Sequence, residues 1–71
     1  MNYFDIVQLQ AGEWEVRNSK LPTVMLGSRE LAKAIAFLRC KESWEKDKLP
    51  CGVRIRRRSG SWEELLLFGM Q

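Results

Sequence analysis

The segment GSRELAKAIAFLRCKESWEKDKLP, residues 27–50, decides the fold because it holds the one long helix that the sequence predicts. Ser28 is placed as an N-cap, where its hydroxyl can accept a hydrogen bond from a free amide of the first helical turn. From Arg29 to about Trp44 or Lys46 no residue breaks a helix, and the composition favours one. The proline that closes the segment stops any continuation.

Runs of β-forming residues flank this helix on both sides. Three runs precede it, at residues 3–10, 13–17 and 23–26, and two follow it, at residues 53–56 and 62–68. The order strand, strand, strand, helix, strand, strand predicts an α+β fold, with a five-stranded, mainly antiparallel sheet and the helix packed on one face. The whole chain, residues 1–71, is predicted to form a single small α+β domain.

Two apolar stripes run along the predicted helix. The first consists of Leu31, Ala34, Ile35 and Leu38. Its helical spacing predicts that it packs on the sheet. The second consists of Phe37, Cys40 and Trp44. Because it lies far round the helix from the first, it is the candidate protein interface, for a separate partner or for a second copy in a homodimer. The alternative is that the sheet curls around the helix, or that residues 65–70 fold over it.

Four arginines lie in the last hairpin, beside a tryptophan. A three-residue loop at residues 59–61 matches charge with charge and apolar with apolar, whereas a two-residue loop at residues 59–60 loses the apolar pair and the second ion pair. The favoured register pairs Arg58 with Trp62, Arg57 with Glu63, Arg56 with Glu64, Ile55 with Leu65 and Val53 with Leu67. In that register two arginines have cross-strand carboxylates and a third can stack on the tryptophan ring.

The same hairpin is the candidate nucleic-acid site. In this alternative the arginines bind phosphates and Trp62 stacks on bases. The arginines concerned are Arg54, Arg56, Arg57 and Arg58. The net charge of +3 is concentrated, because residues 33–58 carry +6 while the flanking parts are acidic. Such a region attracts phosphates or an acidic protein, or it is simply a solvated face that keeps the protein in solution.

The absence of certain residue types from the sequence limits the chemistry that the protein can perform. The chain has no histidine, and its two cysteines, Cys40 and Cys51, form no C-x-x-C motif. This removes the usual structural zinc patterns and the common Ser-His and Cys-His nucleophiles, so we expect no enzyme activity, no metal and no cofactor. The two cysteines could pair, but the start of the chain shows no export signal, so free thiols are expected. No apolar run approaches the length of a membrane span, and we expect a cytoplasmic protein without a membrane partner.

Three short motifs carry a resemblance to a known group of proteins. They are WEV at residues 14–16, ELAKAIA at residues 30–36 and GSW at residues 60–62. In these motifs, over residues 13–64, the chain resembles short bacterial proteins of uncharacterised function, with a Trp-x-Val strand, an Ala-rich helix and a Gly-x-Trp terminal hairpin. The resemblance implies the order of strand, helix and hairpin and a bacterial source, and it implies no activity.

These observations predict a small, non-catalytic interaction module. It acts through protein–protein contacts, with a homodimer as one form, and nucleic-acid binding by the basic hairpin is the alternative.

Overall fold

A computed structural model describes residues 2–69, which form five strands and one helix. The strands are β1 (Asn2–Gln10), β2 (Glu13–Arg17), β3 (Val24–Leu26), β4 (Cys51–Arg56) and β5 (Trp62–Phe68), and the helix is α1 (Arg29–Asp47). The predicted α+β class and the order of elements are confirmed. Each run of β-forming residues in the sequence corresponds to a strand.

The sheet has the strand order β3-β2-β1-β4-β5, and α1 packs on it. Neighbouring strands are antiparallel except for β1 and β4, which are parallel at the centre of the sheet. Parallel neighbours need a long connection, and α1 supplies it by carrying the chain from the β3 edge to β4. Ile6 of β1 pairs with Val16 of β2 on one side and with Ile55 of β4 on the other, and all three side chains are buried in the core.

Both ends of α1 are capped. The hydroxyl of Ser28 accepts a hydrogen bond from the Leu31 amide at 3.2 Å, as the sequence predicts. The helix ends where Lys48 takes a left-handed backbone conformation, with φ of 55°, and donates its amide to the carbonyl of Trp44 at 2.9 Å. The Lys48 ammonium also lies over the Trp44 ring, 5.6 Å from its centre.

The face that α1 buries is not the predicted one. Ala32, Ala36 and Cys40, spaced four residues apart, are fully buried, whereas Leu31 and Leu38 expose 54% and 55% of their surface. Small side chains let the helix backbone come close to the sheet, and the larger core side chains then come from the strands. The large strand side chains buried in this core cluster are Phe4, Ile6, Val16, Val53 and Ile55. The prediction that the first stripe packs on the sheet is therefore wrong.

The register of the last hairpin also differs from both registers considered. Gly60 has φ of 91°, the Gly60 amide donates to the Arg57 carbonyl at 2.9 Å, and the Arg57 amide donates to the Ser61 carbonyl at 2.8 Å. The loop is thus residues 58–60, with glycine in its last position, where a three-residue hairpin loop needs a left-handed residue. Arg56 consequently pairs with Trp62.

A bulge then restores the apolar pairing farther down this hairpin. The register shifts between Val53 and Arg54, so that Val53 pairs with Leu66. Leu65 and Leu66 both pack against the core. Val53 therefore keeps an apolar partner, one residue from the predicted Leu67. The predicted pair of Ile55 with Leu65 is wrong, because the loop moves the tip of the hairpin by two positions and Ile55 pairs with Glu63.

Replacing Ala36 tests which face of α1 is buried against the sheet. Ala36→Leu adds three carbons at a fully buried position and is expected to lower the free energy of unfolding by about 1–3 kcal/mol through overpacking. Ala34→Leu makes the same chemical change at an exposed position and is expected to stay within about 0.5 kcal/mol of wild type. Urea titration at low micromolar concentration measures both. Equal stability of the two variants would contradict this orientation of the helix.

Candidate functional site

The predicted protein interface on α1 faces the core instead of solvent. Cys40 is fully buried, and Phe37 is half-buried and packs against the core cluster. Trp44 is half-buried beside Gly69, where a Cβ atom would lie 2.5 Å from Trp44 Cζ3. The end of the chain therefore covers Trp44, as the alternative reading of the sequence held. Met70, which that reading included, lies outside the described residues. Phe37, Cys40 and Trp44 are wrong as an exposed contact stripe.

The exposed apolar surface of α1 is the other stripe, which we call the helix stripe. It consists of Leu31, Ala34, Ile35 and Leu38. Leu31, Ala34 and Leu38 are exposed, and Ile35 is half-buried at the edge of the stripe. The spacing i, i+3, i+4, i+7 is the one by which an amphipathic helix meets a partner. These four residues were recognised in the sequence as one stripe, but the stripe was predicted to belong to the core.

A cleft of about 550 Å³ lies beside the helix stripe, between α1 and the connection from β2 to β3. Its apolar lining is Phe4, Leu21, Ile35 and Leu38. Its charged lining is Lys20, Arg39, Glu42, Lys46 and Asp47. Among residues 2–69 none of these five charged side chains forms an ion pair with another residue. The cleft thus combines apolar walls with charges of both signs that are open to a partner.

Asparagine side chains fix the walls of this cleft. The Asn18 amide nitrogen donates to Asn2 Oδ1 at 2.7 Å and to the Tyr3 carbonyl at 2.9 Å, and Asn18 Oδ1 accepts from the Lys20 amide at 2.9 Å. Asn2 in turn donates to the Ser43 hydroxyl of α1 at 3.5 Å. The loop is therefore tied to β1, and β1 to the helix. Asn18 was not predicted from the sequence, although its ability to hydrogen-bond the backbone two residues onward was a recognisable signal.

Arg54, a candidate nucleic-acid residue, is engaged within the protein. It lies on the sheet face away from α1, where its Nε donates to Asp5 Oδ1 at 2.6 Å and its Nη2 to Asp5 Oδ2 at 3.3 Å. Its guanidinium carbon is 4.3 Å from the centre of the Tyr3 ring and 4.5 Å from that of Trp62. The hydrogen bond to Asp5 raises the pKa of Arg54, so the stack always carries a positive charge.

The remaining hairpin arginines differ from one another. Arg57 Nε is 3.8 Å from Glu63 Oε1, so the predicted ion pair between these residues is confirmed. The predicted pair of Arg56 with Glu64 is wrong, because Glu64 lies opposite Arg54 and accepts a hydrogen bond from the Tyr3 hydroxyl at 2.9 Å. Within residues 2–69, Arg56 and Arg58 are exposed and have no carboxylate oxygen within 4 Å.

Two acidic residues of β2 also have local partners. Glu15 forms an ion pair with Arg17 at 2.6 Å, and Glu13 accepts a hydrogen bond from the Gln10 side chain. The part of the chain that the structure describes contains no group of three or more histidine, cysteine or acidic side chains that could hold a metal ion. The helix in this part of the chain does not have the length and apolar character that a membrane span needs.

Comparison with known proteins found no matching family model, no matching curated protein and no matching solved structure. The resemblance to short bacterial proteins stays a prediction.

Arg54→Lys tests the stack on the open sheet face. Lysine keeps the charge but loses the planar, two-pronged contact with Asp5 and the stacking on both rings, so we expect the free energy of unfolding to fall by about 1 kcal/mol. Arg56→Lys, two residues along the same strand face, is the matched control and should change stability by less than about 0.5 kcal/mol. Urea unfolding followed by tryptophan fluorescence gives both values. Equal effects would show that the stack does not stabilise the fold.

Proposed function

We propose that this protein is a non-catalytic interaction module that acts through protein–protein contacts, and that it docks by the helix stripe onto a second copy of itself. The observation that carries the proposal is the exposure of Leu31 and Leu38, each more than half open to solvent on a helix whose opposite face is fully buried. Covering the exposed part of a leucine contributes on the order of 1 kcal/mol, and a symmetric contact covers four leucines.

The stripe suits an antiparallel pairing of two helices. A two-fold axis that passes level with the peptide between Ala34 and Ile35 brings Leu31 against Leu38 of the second copy, and the small Ala34 allows the backbones to approach. The same arrangement places Glu42 level with the beginning of the second helix. Because a helix N-terminus carries a partial positive charge, the contact of Glu42 with it is favourable. The two-fold symmetry gives the dimer two such contacts, one from each copy.

The available surface is large enough for a stable contact. The smallest specific interfaces bury roughly 600 Å² on each partner, which is about one eighth of this protein's accessible surface of 4768 Å². A helix of 19 residues is about 28 Å long, so its exposed face and the adjoining cleft offer that area. Asn18 and Asn2 hold the cleft in one shape, which reduces the entropy lost on docking.

The double variant Leu31→Gln, Leu38→Gln tests this interface. We expect wild type to have twice the chain mass of 8.3 kDa in light scattering at high micromolar concentration, and the double variant to have the mass of one chain. The double variant should remain folded because both side chains are exposed. Met25→Gln is the matched control, because Met25 is 54% exposed and pairs with Glu15, away from the helix face. Wild type that stays at 8.3 kDa throughout would contradict self-association.

Nucleic-acid binding is the second candidate function, and one observation favours it. Arg56 and Arg58 are exposed near the tip of the last hairpin without a carboxylate partner among residues 2–69, as phosphate-binding side chains would be. Against it, Arg54 and Trp62, two of the residues assigned to this function, are stacked on each other.

The double variant Arg56→Gln, Arg58→Gln tests whether the tip of the hairpin binds nucleic acid. If the tip binds nucleic acid, the variant should bind a mixed-sequence oligonucleotide more weakly at about 50 mM salt, and its slope of log affinity against log salt should be shallower by about 0.9 per lost phosphate contact on duplex DNA. Arg29→Gln, Lys41→Gln removes the same charge from exposed positions on α1 and is the control. Equal binding by both double variants, or no binding by wild type, would exclude the hairpin as the site.

A further inference from the structure

Two buried thiols face each other between the helix and the centre of the sheet. Cys40 lies on the buried face of α1, and Cys51 is the first residue of β4. Their Sγ atoms are 2.7 Å apart, and neither residue is accessible to solvent. The two residues are 11 apart in sequence. The proposed docking function uses neither of them.

The distance between the sulfurs argues against a shared metal ion. Two thiolates on one zinc ion, each about 2.3 Å from it in tetrahedral geometry, lie about 3.7 Å apart. The observed 2.7 Å is shorter, and no third histidine, cysteine or acidic ligand joins the pair among the described residues. A disulfide bond is about 2.05 Å long, so the sulfurs need to approach by only about 0.7 Å to form one.

We propose that Cys40 and Cys51 form a redox modification site. A low-molecular-weight disulfide such as oxidised glutathione oxidises the two thiols to an intramolecular disulfide, and this disulfide links α1 to β4. One cysteine thiolate attacks a sulfur of oxidised glutathione, which breaks that disulfide, forms a mixed disulfide and releases one glutathione thiolate. The second cysteine thiolate attacks the protein sulfur of the mixed disulfide and releases the other glutathione thiolate. The two thiol protons pass to the glutathione thiolates, so one disulfide is reduced as one forms.

Burial controls when this exchange occurs. Burial, together with a smaller contribution from the hydrogen bond to Cys51, raises the pKa of Cys40 to about 12, and burial also raises the pKa of Cys51. Few thiolates therefore exist in the closed protein at neutral pH, and oxidised glutathione cannot reach them. Exchange proceeds while the protein folds, or when the end of α1 and the exposed link at residues 48–50 open. Once formed, the disulfide is shielded in the same way from reduction.

The cross-link fits the fold because the native contacts already bring both sulfurs together. It joins the C-terminal half of α1, about two turns before the helix ends, to the strand β4 that pairs with β1, and it closes the short loop through Lys48 and Pro50. A link that constrains the unfolded chain without moving the folded one raises stability. We therefore expect the oxidised protein to keep the same fold and to unfold at a urea concentration higher by about 1 M or more than the reduced protein.

The test is to refold reduced protein from urea in a glutathione buffer with the oxidised form in excess, and to measure the intact mass after alkylation. The expected product is a monomeric chain two hydrogens lighter than the reduced protein, with no alkylated cysteine. Cys40→Ala and Cys51→Ala keep one thiol each and should carry one glutathione or one alkyl group instead. Native protein in the same buffer should oxidise more slowly than refolding protein and faster as sub-denaturing urea is added.

Three outcomes of the mass measurement would overturn the proposal. They are wild-type chains that keep two alkylatable thiols after refolding, chains that carry two glutathione groups, and disulfides formed between chains. The proposal would also be overturned if the oxidised protein contained the intramolecular disulfide but its amide NMR spectrum differed from that of the reduced protein over the whole sheet. The link would then have changed the fold. None of these measurements depends on docking by the helix stripe, so the two proposals succeed or fail separately.

Discussion

The close approach of the helix to the sheet, made through Ala32, Ala36 and Cys40, is the constraint on which the other features depend. These three fully buried residues let α1 rest directly on the side chains of the central strands. Because the small residues occupy that face, the large apolar residues of the helix are displaced to its sides and outer surface. Exposure of the helix stripe, the cleft beside it and the meeting of two thiols all follow from this one arrangement.

The other face of the sheet has no helix to cover it in the described structure, and long side chains shield it instead. The Arg54 guanidinium lies over the rings of Tyr3 and Trp62 and is held there by Asp5. Gly52 provides the space, because a Cβ atom there would lie 2.8 Å from the Tyr3 ring and 2.9 Å from a methyl carbon of Leu67. Part of the arginine-rich run therefore serves the fold, and the free charge is left to the tip of the hairpin.

The sequence predicts the elements of this fold better than the way they meet. Alternation and capping depend on neighbouring residues, so the strands and the Ser28 cap were predictable. The rotation of α1 was not, because a stripe of leucines and a stripe of alanines both have helical spacing, and the space left by the sheet decides between them. The hairpin register depended on Gly60, whose left-handed backbone fixes its place in the loop more strongly than side-chain pairing does.

The apolar stripes of α1 were likewise predictable as patterns, whereas the face that each one occupies was not. Both apolar stripes were visible in the sequence, but their roles were exchanged, since Cys40 is buried and Leu38 is exposed. In the two proposals, α1 therefore offers the helix stripe to a partner on one side and Cys40 to oxidation on the other. Oxidation of Cys40 would not touch a docked partner directly, because Cys40 and the helix stripe lie on opposite sides of the helix backbone. It can act on docking only by changing how firmly α1 is held, and a helix that is fixed in place loses less entropy when a partner covers it.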